Sequence, residues 1–286
     1  MTSVAATSSD RYCVMGNPVA HSRSPWIHAR FAELCGQDLR YERQHVELDG
    51  FAEAVRAFVT AGGRGCNVTV PFKLEAAQLA TTSSERVQLA GAANTLVLAP
   101  DGIHADNTDG LGLVADIVRN AGVPLAGRDL LLLGAGGAAA GALGSLLAER
   151  PRRIAVVNRT FERAQALVQR HAAIAAQHGV ELVALEQQAV DEDFDVVINA
   201  TASSLAGAEV PVPARVLRTG SLAYDMMYGP AGQGFMQWAE QHGATARDGL
   251  GMLVEQAAES FALWRGVRPP SAQVLNELRA HIAQGG

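Results

Sequence analysis

Short apolar runs alternate with stretches of helical spacing along most of the chain, and the two periods together predict its elements. Residues 12–15 read as a strand ended by Gly16-Asn17-Pro18. Pro25 suits the first turn of a helix running to about Leu34, with Ser24 in the capping position and Gly36 as the stop. A second strand is expected over 39–48, then a helix carrying Phe51, Ala54, Val55 and Phe58 before Gly62-Gly63. The β-branched run Val68-Thr69-Val70 favours a strand that Pro71 ends, because proline has no amide to give the ladder. Asn67 and Thr69 would then share one face, and Lys73 would arrive just past the strand's carboxyl end. Helical spacing over 74–89 and a strand over 95–98, turning at Pro100-Asp101-Gly102, complete this half.

A helical stretch over 111–118 connects to a second alternation that starts at Asp129. Strands are expected over 130–133, 154–157, 196–198 and 221–224, with a Gly/Ala-rich helix after the first and a helix over 161–173 after the second. The chain closes with helices over 250–264 and 271–282. Strands alternating with helices imply largely parallel sheets, so the fold class is α/β. The expected organisation is an N-terminal domain over 11–110, a Rossmann-type doubly wound domain over 111–249, and C-terminal helices over 250–286 that return to the first domain.

Composition narrows the function classes. The chain has 286 residues, 48% hydrophobic and 18% charged, with 29 glycines, which suits compact α/β domains. A net charge of −6 argues against a general nucleic-acid surface. No apolar run approaches the roughly 20 residues of a membrane span. Met1 to Asp10 are small and polar, without the basic and apolar regions of a signal peptide, and read as a frayed tail. The three cysteines, Cys13, Cys35 and Cys66, are scattered and without ligand spacing, so no metal site is expected and a reducing cytoplasm is.

Directly after 130–133 comes Gly134-Ala135-Gly136-Gly137-Ala138-Ala139, in which Gly134, Gly136 and Ala139 fit the dinucleotide fingerprint between a strand and a helix. Gly134 permits the tight turn, Gly136 lets the backbone approach a pyrophosphate, and Ala139 lets the helix pack closely. The helix's amino end would face the phosphates. At the tip of the second strand, where an NAD site usually carries an acid, the chain reads Asn158-Arg159-Thr160, with Arg163 a turn on. Two guanidiniums and no carboxylate suit a 2′-phosphate, hence NADP(H) over NAD. The plainer alternative leaves Arg159 and Arg163 as surface charges, although a helix start disfavours cations.

Several short motifs occur in order: His21-Ser22-Arg23-Ser24-Pro25, Asn67 through Lys73, Gly91-Ala92-Ala93-Asn94-Thr95, and Asp106-Asn107-Thr108-Asp109-Gly110. The glycine loop, Asn158-Arg159-Thr160, Asn199-Ala200-Thr201 and the segment Asp248-Gly249-Leu250-Gly251-Met252-Leu253-Val254-Glu255-Gln256 follow. Together, from Tyr12 to about Arg279, the chain closely resembles the shikimate dehydrogenase family. Taken alone, Lys73 would be a solvated surface lysine and Ser24 a plain helix cap.

The resemblance implies a first half that holds substrate, a second half that holds NADP(H), and chemistry in the cleft between them. It implies reversible reduction of 3-dehydroshikimate to shikimate on the way to chorismate and aromatic amino acids. Lys73 and Asp109 match the catalytic pair, and Ser22 and Ser24 match positions that bind the substrate carboxylate. Thr69, Asn94, Gln256 and Tyr228 match further substrate contacts. On the cofactor side it implies Glu85, Gly134, Ala135, Gly136, Gly137, Ala138, Asn158, Arg159, Thr160, Arg163 and Thr201, with Met226, Gly249 and Met252 beside the nicotinamide. Met252 and Gln256, spaced i and i+4, should share a face apart from the stripe of Leu250, Leu253, Val254, Ala257 and Phe261. The partner is a small-molecule substrate, with neither nucleic acid nor membrane, and the sequence leaves monomer and homodimer open. Ala202-Ser203-Ser204-Leu205 departs from the family pattern after Thr201. The competing readings are a quinate/shikimate dehydrogenase, a non-catalytic sensor of shikimate-like ligands, and a methylenetetrahydrofolate dehydrogenase-like enzyme. Loss of Lys73 or Asp109 would favour the sensor, and both are present.

Overall fold

Four consecutive leucines, Leu130 to Leu133, lie on a strand buried on both faces, which is why that strand shows no polar alternation. The computed structural model describes residues 9–201 and 210–285; residues 1–8, 202–209, which include Ala202 to Leu205, and 286 lie outside them. The chain forms two compact units, the first holding residues up to Ser84, Ala93–Asp106 and everything from Ala257, the second Glu85–Ala92 and Asn107–Gln256. No described helix is long and apolar enough to cross a membrane.

The first unit is built on β1 (Asp10–Gly16), β2 (Leu39–His45), β3 (Gly63–Val68), β4 (Thr82–Ser83), β5 (Thr95–Ala99) and β6 (Gly102–Asp106). They form one sheet in the order β2-β1-β3-β5-β6-β4. Strands β1, β2 and β3 are parallel, whereas β5 runs antiparallel to both β3 and β6. Helices α1 (Ser24–Cys35), α2 (Phe51–Thr60) and α3 (Lys73–Leu79) follow their strands. α10 (Ser271–Ala283) belongs to this unit and packs on α1.

In the second unit, β7 (Asp129–Leu133), β8 (Arg153–Val157), β9 (Glu181–Leu185), β10 (Phe194–Asn199), β11 (Leu217–Asp225) and β12 (Thr245–Arg247) form an all-parallel sheet ordered β12-β11-β10-β7-β8-β9. That is the doubly wound order, with the crevice point between β7 and β10. Leu130, Leu132, Ile154 and Val156 enter one core, while Leu131, Leu133, Ala155 and Val157 enter the other. The connections are α4 (Glu85–Ala90), α5 (Asp109–Ala115), α6 (Gly137–Ala148), α7 (Phe161–His178) and α8 (Gln233–Gln241). α9 (Leu250–Arg265) carries the chain from the second unit into the first.

Several local expectations change. The helix expected over 74–89 breaks into α3, the short β4 and α4, because Thr82-Ser83 pair with His104-Ala105 of β6. β6, β9, α8 and β12 were not anticipated; β6 exists because Gly102, at φ +145°, closes a hairpin with β5. Strand β3 stops at Val68, leaving Val70 exposed. The capping position of α1 is Arg23, and the oxygen that accepts the Ser24 amide belongs to Ser22, at 3.3 Å. The connecting helix does not stay α-helical to its end, since α5 widens into a π-helical turn at Asp116–Asn120.

One core residue of the first unit is ionisable. His28 is fully buried on α1, its ring stacked on Tyr41 at 4.1 Å between centroids and near Phe31, Phe261 and Trp264. Among the described residues neither ring nitrogen has a hydrogen-bond partner. Burial holds the imidazole pKa down to about 3, from 6.5. The unfolded chain therefore takes up a proton at a pH where the native one does not, and stability falls as pH drops from 6.5 towards 3. By about pH 5 the loss should be about 2 kcal/mol. Urea unfolding at pH 7.5 and 5 should show this extra loss in the wild type and not in His28→Phe.

Candidate active site

The first unit gathers its chemistry at one edge of the sheet. β1 and β3 end together at that edge and antiparallel β5 begins there, so the loops carrying Ser22 and Ser24, Thr69 and Lys73, and Asn94 meet. Thr69 lies against Gly16, where a Cβ would collide with its methyl, and its amide donates to Met15 O at 2.9 Å. Lys73 is the first residue of α3. Its backbone is fixed on both sides: Phe72 is buried and stacked on Phe51, and the Ala93 amide donates to the Lys73 carbonyl at 2.8 Å. The lysine side chain is half-buried. Ser24 is buried, and the Ser22 carbonyl accepts from Arg43 Nε and Nη2 at 2.9 and 2.6 Å.

Beneath this edge lies a buried polar hub. Tyr41 donates to Asn67 Oδ1 at 2.7 Å, and Asn67 Nδ2 faces Ser260 Oγ, Thr95 Oγ1 and the Asn94 carbonyl at 2.9, 3.1 and 3.2 Å. Thr95 Oγ1 lies 2.9 Å from Asn94 Oδ1, so the hub reaches a predicted substrate contact directly. Burial pushes the Tyr41 phenol well above its usual range. Sequence reading gave no role to Asn67, Tyr41 or Ser260. A polar side chain inside an apolar strand is the one available signal, and Asn67 carries it.

In the second unit, Asp109 opens α5, is 6% exposed, and takes the Asn107 side chain as acceptor for its amide at 3.1 Å. Asn107 Nδ2 donates in turn to the Ala92 carbonyl at 2.9 Å. Gly110 lets α5 settle against Ser145 and Gly141 of α6, and Gly112 lets it touch the backbone of Gln256. Thr108 Oγ1 lies 3.5 Å from Gln256 Oε1, so Asp109 and Gln256 share a neighbourhood. Met252 and Gln256 are both buried, because the first two turns of α9 are packed on nearly every side, with Leu253 alone half-exposed from Leu250 to Ala258.

The glycine loop fits a dinucleotide. Gly134, at φ +109°, adopts a conformation that L side chains rarely take, and its amide donates to Val157 O at 2.7 Å. Gly136 and Gly137 are exposed with open space where a Cβ would stand, while Ala139 is fully buried against the core. Asn158 accepts the Ala135 amide at 3.2 Å and donates to Thr160 O at 2.8 Å, tying the loop to the tip of β8. Arg159 and Arg163 are exposed at the start of α7 and form no ion pair with a described carboxylate. Ala138 lies in the first turn of α6. Across β10, Thr201 donates to Asn199 Oδ1 at 2.7 Å. Met226 and Gly249 touch, since a Cβ on Gly249 would strike the Met226 carbonyl. Tyr228 is half-buried and extended beside them in sequence. Glu85 stands apart: it is exposed at the start of α4, lining a cavity of about 280 Å³ with Leu89, Val114, Ser145 and His178 but with no glycine-loop residue.

A doubly wound unit with a glycine turn and an acid-free arginine tip, joined to a unit that presents a lysine beside hydroxyl and amide side chains, defines a nicotinamide-dependent oxidoreductase class. Family models match along the chain: the shikimate dehydrogenase substrate binding domain over residues 14–96, shikimate / quinate 5-dehydrogenase over 116–210, and the shikimate 5'-dehydrogenase C-terminal domain over 249–279. A shikimate dehydrogenase (NADP(+)) of Acidovorax sp. is 76% identical over 97% of this chain and 99% of its own. Among solved structures, an Ael1 enzyme from Pseudomonas putida is 45% identical with a TM-score of 0.87, over 94% of this chain and 98% of that one. The shikimate 5-dehydrogenase of Thermus thermophilus, in complex with NADP(H) and shikimate, is 31% identical with a TM-score of 0.81, over 95% and 99%. The chain belongs to the shikimate dehydrogenase family.

Asn67 is the residue on which the substrate edge leans. Asn67→Leu should cost about 2 kcal/mol, because the buried Tyr41 hydroxyl loses its acceptor, whereas Ser260 keeps Thr95 Oγ1 and the Asn94 carbonyl keeps the Val68 amide. Urea unfolding of the variant against the wild type measures the loss.

Proposed function

We propose that this chain catalyses the reversible reduction of 3-dehydroshikimate to shikimate with NADP(H), in the supply of chorismate and aromatic amino acids. The observation that carries this reading is the single sheet edge of the first unit, where Ser22, Ser24, Thr69, Lys73 and Asn94 come together. A small polyhydroxylated carboxylate needs that mixture: hydroxyls for its carboxylate, amide and threonine groups for its alcohols, and a cation for the reacting oxygen. In the family's pattern the serines take the carboxylate. Thr69, Asn94, Tyr228 and Gln256 take the remaining polar groups.

Reduction of the ketone needs a hydride on carbon and a proton on oxygen. NADPH, when bound, supplies the hydride. The Lys73 ammonium hydrogen-bonds the carbonyl oxygen, stabilises the alkoxide that develops, and delivers the proton. In the family's pattern Asp109 is the partner of Lys73 in the catalytic pair and accepts a hydrogen bond from a neighbouring hydroxyl. The buried position of Asp109 and its Asn107-anchored amide support a fixed carboxylate rather than a solvated one. Gly134 to Ala138, Asn158 and Thr160 would hold the pyrophosphate and ribose, Arg159 and Arg163 the 2′-phosphate, and Thr201, Met226, Gly249 and Met252 the nicotinamide half. Glu85 remains a cofactor contact by family pattern alone. Three free cysteines, two of them buried, accord with a reducing cytoplasm.

Initial rates with shikimate against quinate, and with NADP+ against NAD+, test the assignment. Shikimate with NADP+ should lead by at least tenfold in kcat/KM, and a preference for quinate would replace the reading. Lys73→Ala should lower kcat by about 10²- to 10⁴-fold while KM for shikimate changes little; unchanged turnover would remove Lys73 from the chemistry. Arg159→Ala combined with Arg163→Ala should raise KM for NADP+ by about tenfold or more and leave KM for NAD+ unchanged, since NAD+ has no phosphate to lose.

A further inference from the structure

We propose that Asp116 is a positioning residue for the nicotinamide-facing segment of the cofactor site, a role that rests on the reading of Met226, Gly249 and Met252 given above. Asp116 is fully buried at the head of the π-helical turn, with Leu113 and Ile117 of the core to either side in sequence. π turns are rare and are frequently found at functional sites; this one closes α5.

The Asp116 side chain is a carboxylate that takes hydrogen bonds from three directions. Arg247 binds it two-pronged, Nε to Oδ2 at 2.8 Å and Nη2 to Oδ1 at 2.6 Å. Tyr224 donates to Oδ2 at 2.8 Å, and Asn120 Nδ2 donates to Oδ1 at 2.9 Å. A buried pair of this kind loses much solvation, and holds only because its acceptor sites are filled.

The partners are not scattered. Tyr224 lies on β11 two residues before Met226, and Arg247 ends β12 two residues before Gly249. The carboxylate also touches the α-carbon of Gly251, where a Cβ would run into it, so the segment passes directly over Asp116. Gly249 closes the group by donating its amide to Met227 O at 2.9 Å. The π turn grips α9 a second time through buried Glu255, which accepts from Arg119 at 2.9 Å and from Asn120 at 3.0 Å, one residue before Gln256. One carboxylate thus sets the spacing between the end of β11, the end of β12 and the first turn of α9. None of these bonds, among the described residues, runs to the glycine loop or the tip of β8.

That asymmetry makes the role testable by binding rather than turnover. Kd values for NADPH and for adenosine 2′,5′-bisphosphate, which lacks the nicotinamide half, are measured for wild type, Asp116→Asn and Tyr224→Phe. The tyrosine variant deletes one bond to the same carboxylate and keeps the Arg247 pair, so it folds even if the aspartate variant does not. A core variant, Leu147→Ala, controls for lost stability in the same unit. The expected result is an NADPH Kd raised by about tenfold in Asp116→Asn and by about threefold in Tyr224→Phe, with the adenosine bisphosphate Kd changed less than about twofold. Leu147→Ala should shift neither ligand. Equal weakening of both ligands, or an unchanged NADPH Kd, would overturn the proposal. Failure of the dehydrogenase reading would appear separately, as wild-type protein that binds NADPH but does not reduce NADP+ with shikimate.

Discussion

Parallel pairing is the constraint from which the rest follows. Strands that run the same way send their connecting loops out at the same edge, and each return passes through a helix that covers a face. In the second unit this puts the Gly134 turn, the Asn158 tip, Thr201 and Met226 at the carboxyl ends of β7, β8, β10 and β11. In the first unit β1 and β3 do the same for Ser22 and Lys73, and the antiparallel β5 brings Asn94 to that edge from the opposite direction.

An edge of loops is not yet a rigid site. Each unit stiffens it with one buried polar group whose bonding capacity is filled: the Asn67 amide in the first and the Asp116 carboxylate in the second. Both lie beneath the residues assigned to chemistry, and both join segments distant in sequence. An unsatisfied polar group at such depth costs more than a made bond returns, so the surrounding geometry is narrowly defined. Glycines serve the same end where a backbone must pass close to a neighbour. Gly249 runs against Met226, Gly251 against Asp116 and Gly110 against α6, each at a distance that no side chain would allow.

Much of this was legible in the residues. The apolar runs located most strands, and Gly134, Gly136 and Ala139 marked the nucleotide turn without help from distant contacts. The strand tip Asn158-Arg159-Thr160, which carries no acid, pointed to NADP(H). The errors fell where local signals are weak or are overridden by pairing. β4 and β12 are too short to show a period, and each exists because a neighbouring strand offers a ladder. Ser24 carries the composition of a cap, yet the capping position falls to Arg23 and the Ser24 amide bonds back to Ser22 Oγ. Met252 and Gln256 fall off the apolar stripe of α9 by spacing, yet both are buried, because periodicity assumes one wet side and the first turns of this helix have almost none.

By itself, then, the order of residues determined the α/β class, the nucleotide turn and the preference for a phosphorylated ribose, since each rests on neighbours within a few positions. The tertiary structure alone decided that Asn67 joins Tyr41 to Asn94, that Asp116 joins Arg247 to Tyr224, and that Asp109 shares its surroundings with Gln256. Those pairings span tens to more than a hundred residues. A hydrogen bond across such a distance leaves no local period, because its partners are chosen by the packing of whole strands and helices rather than by their neighbours in the chain.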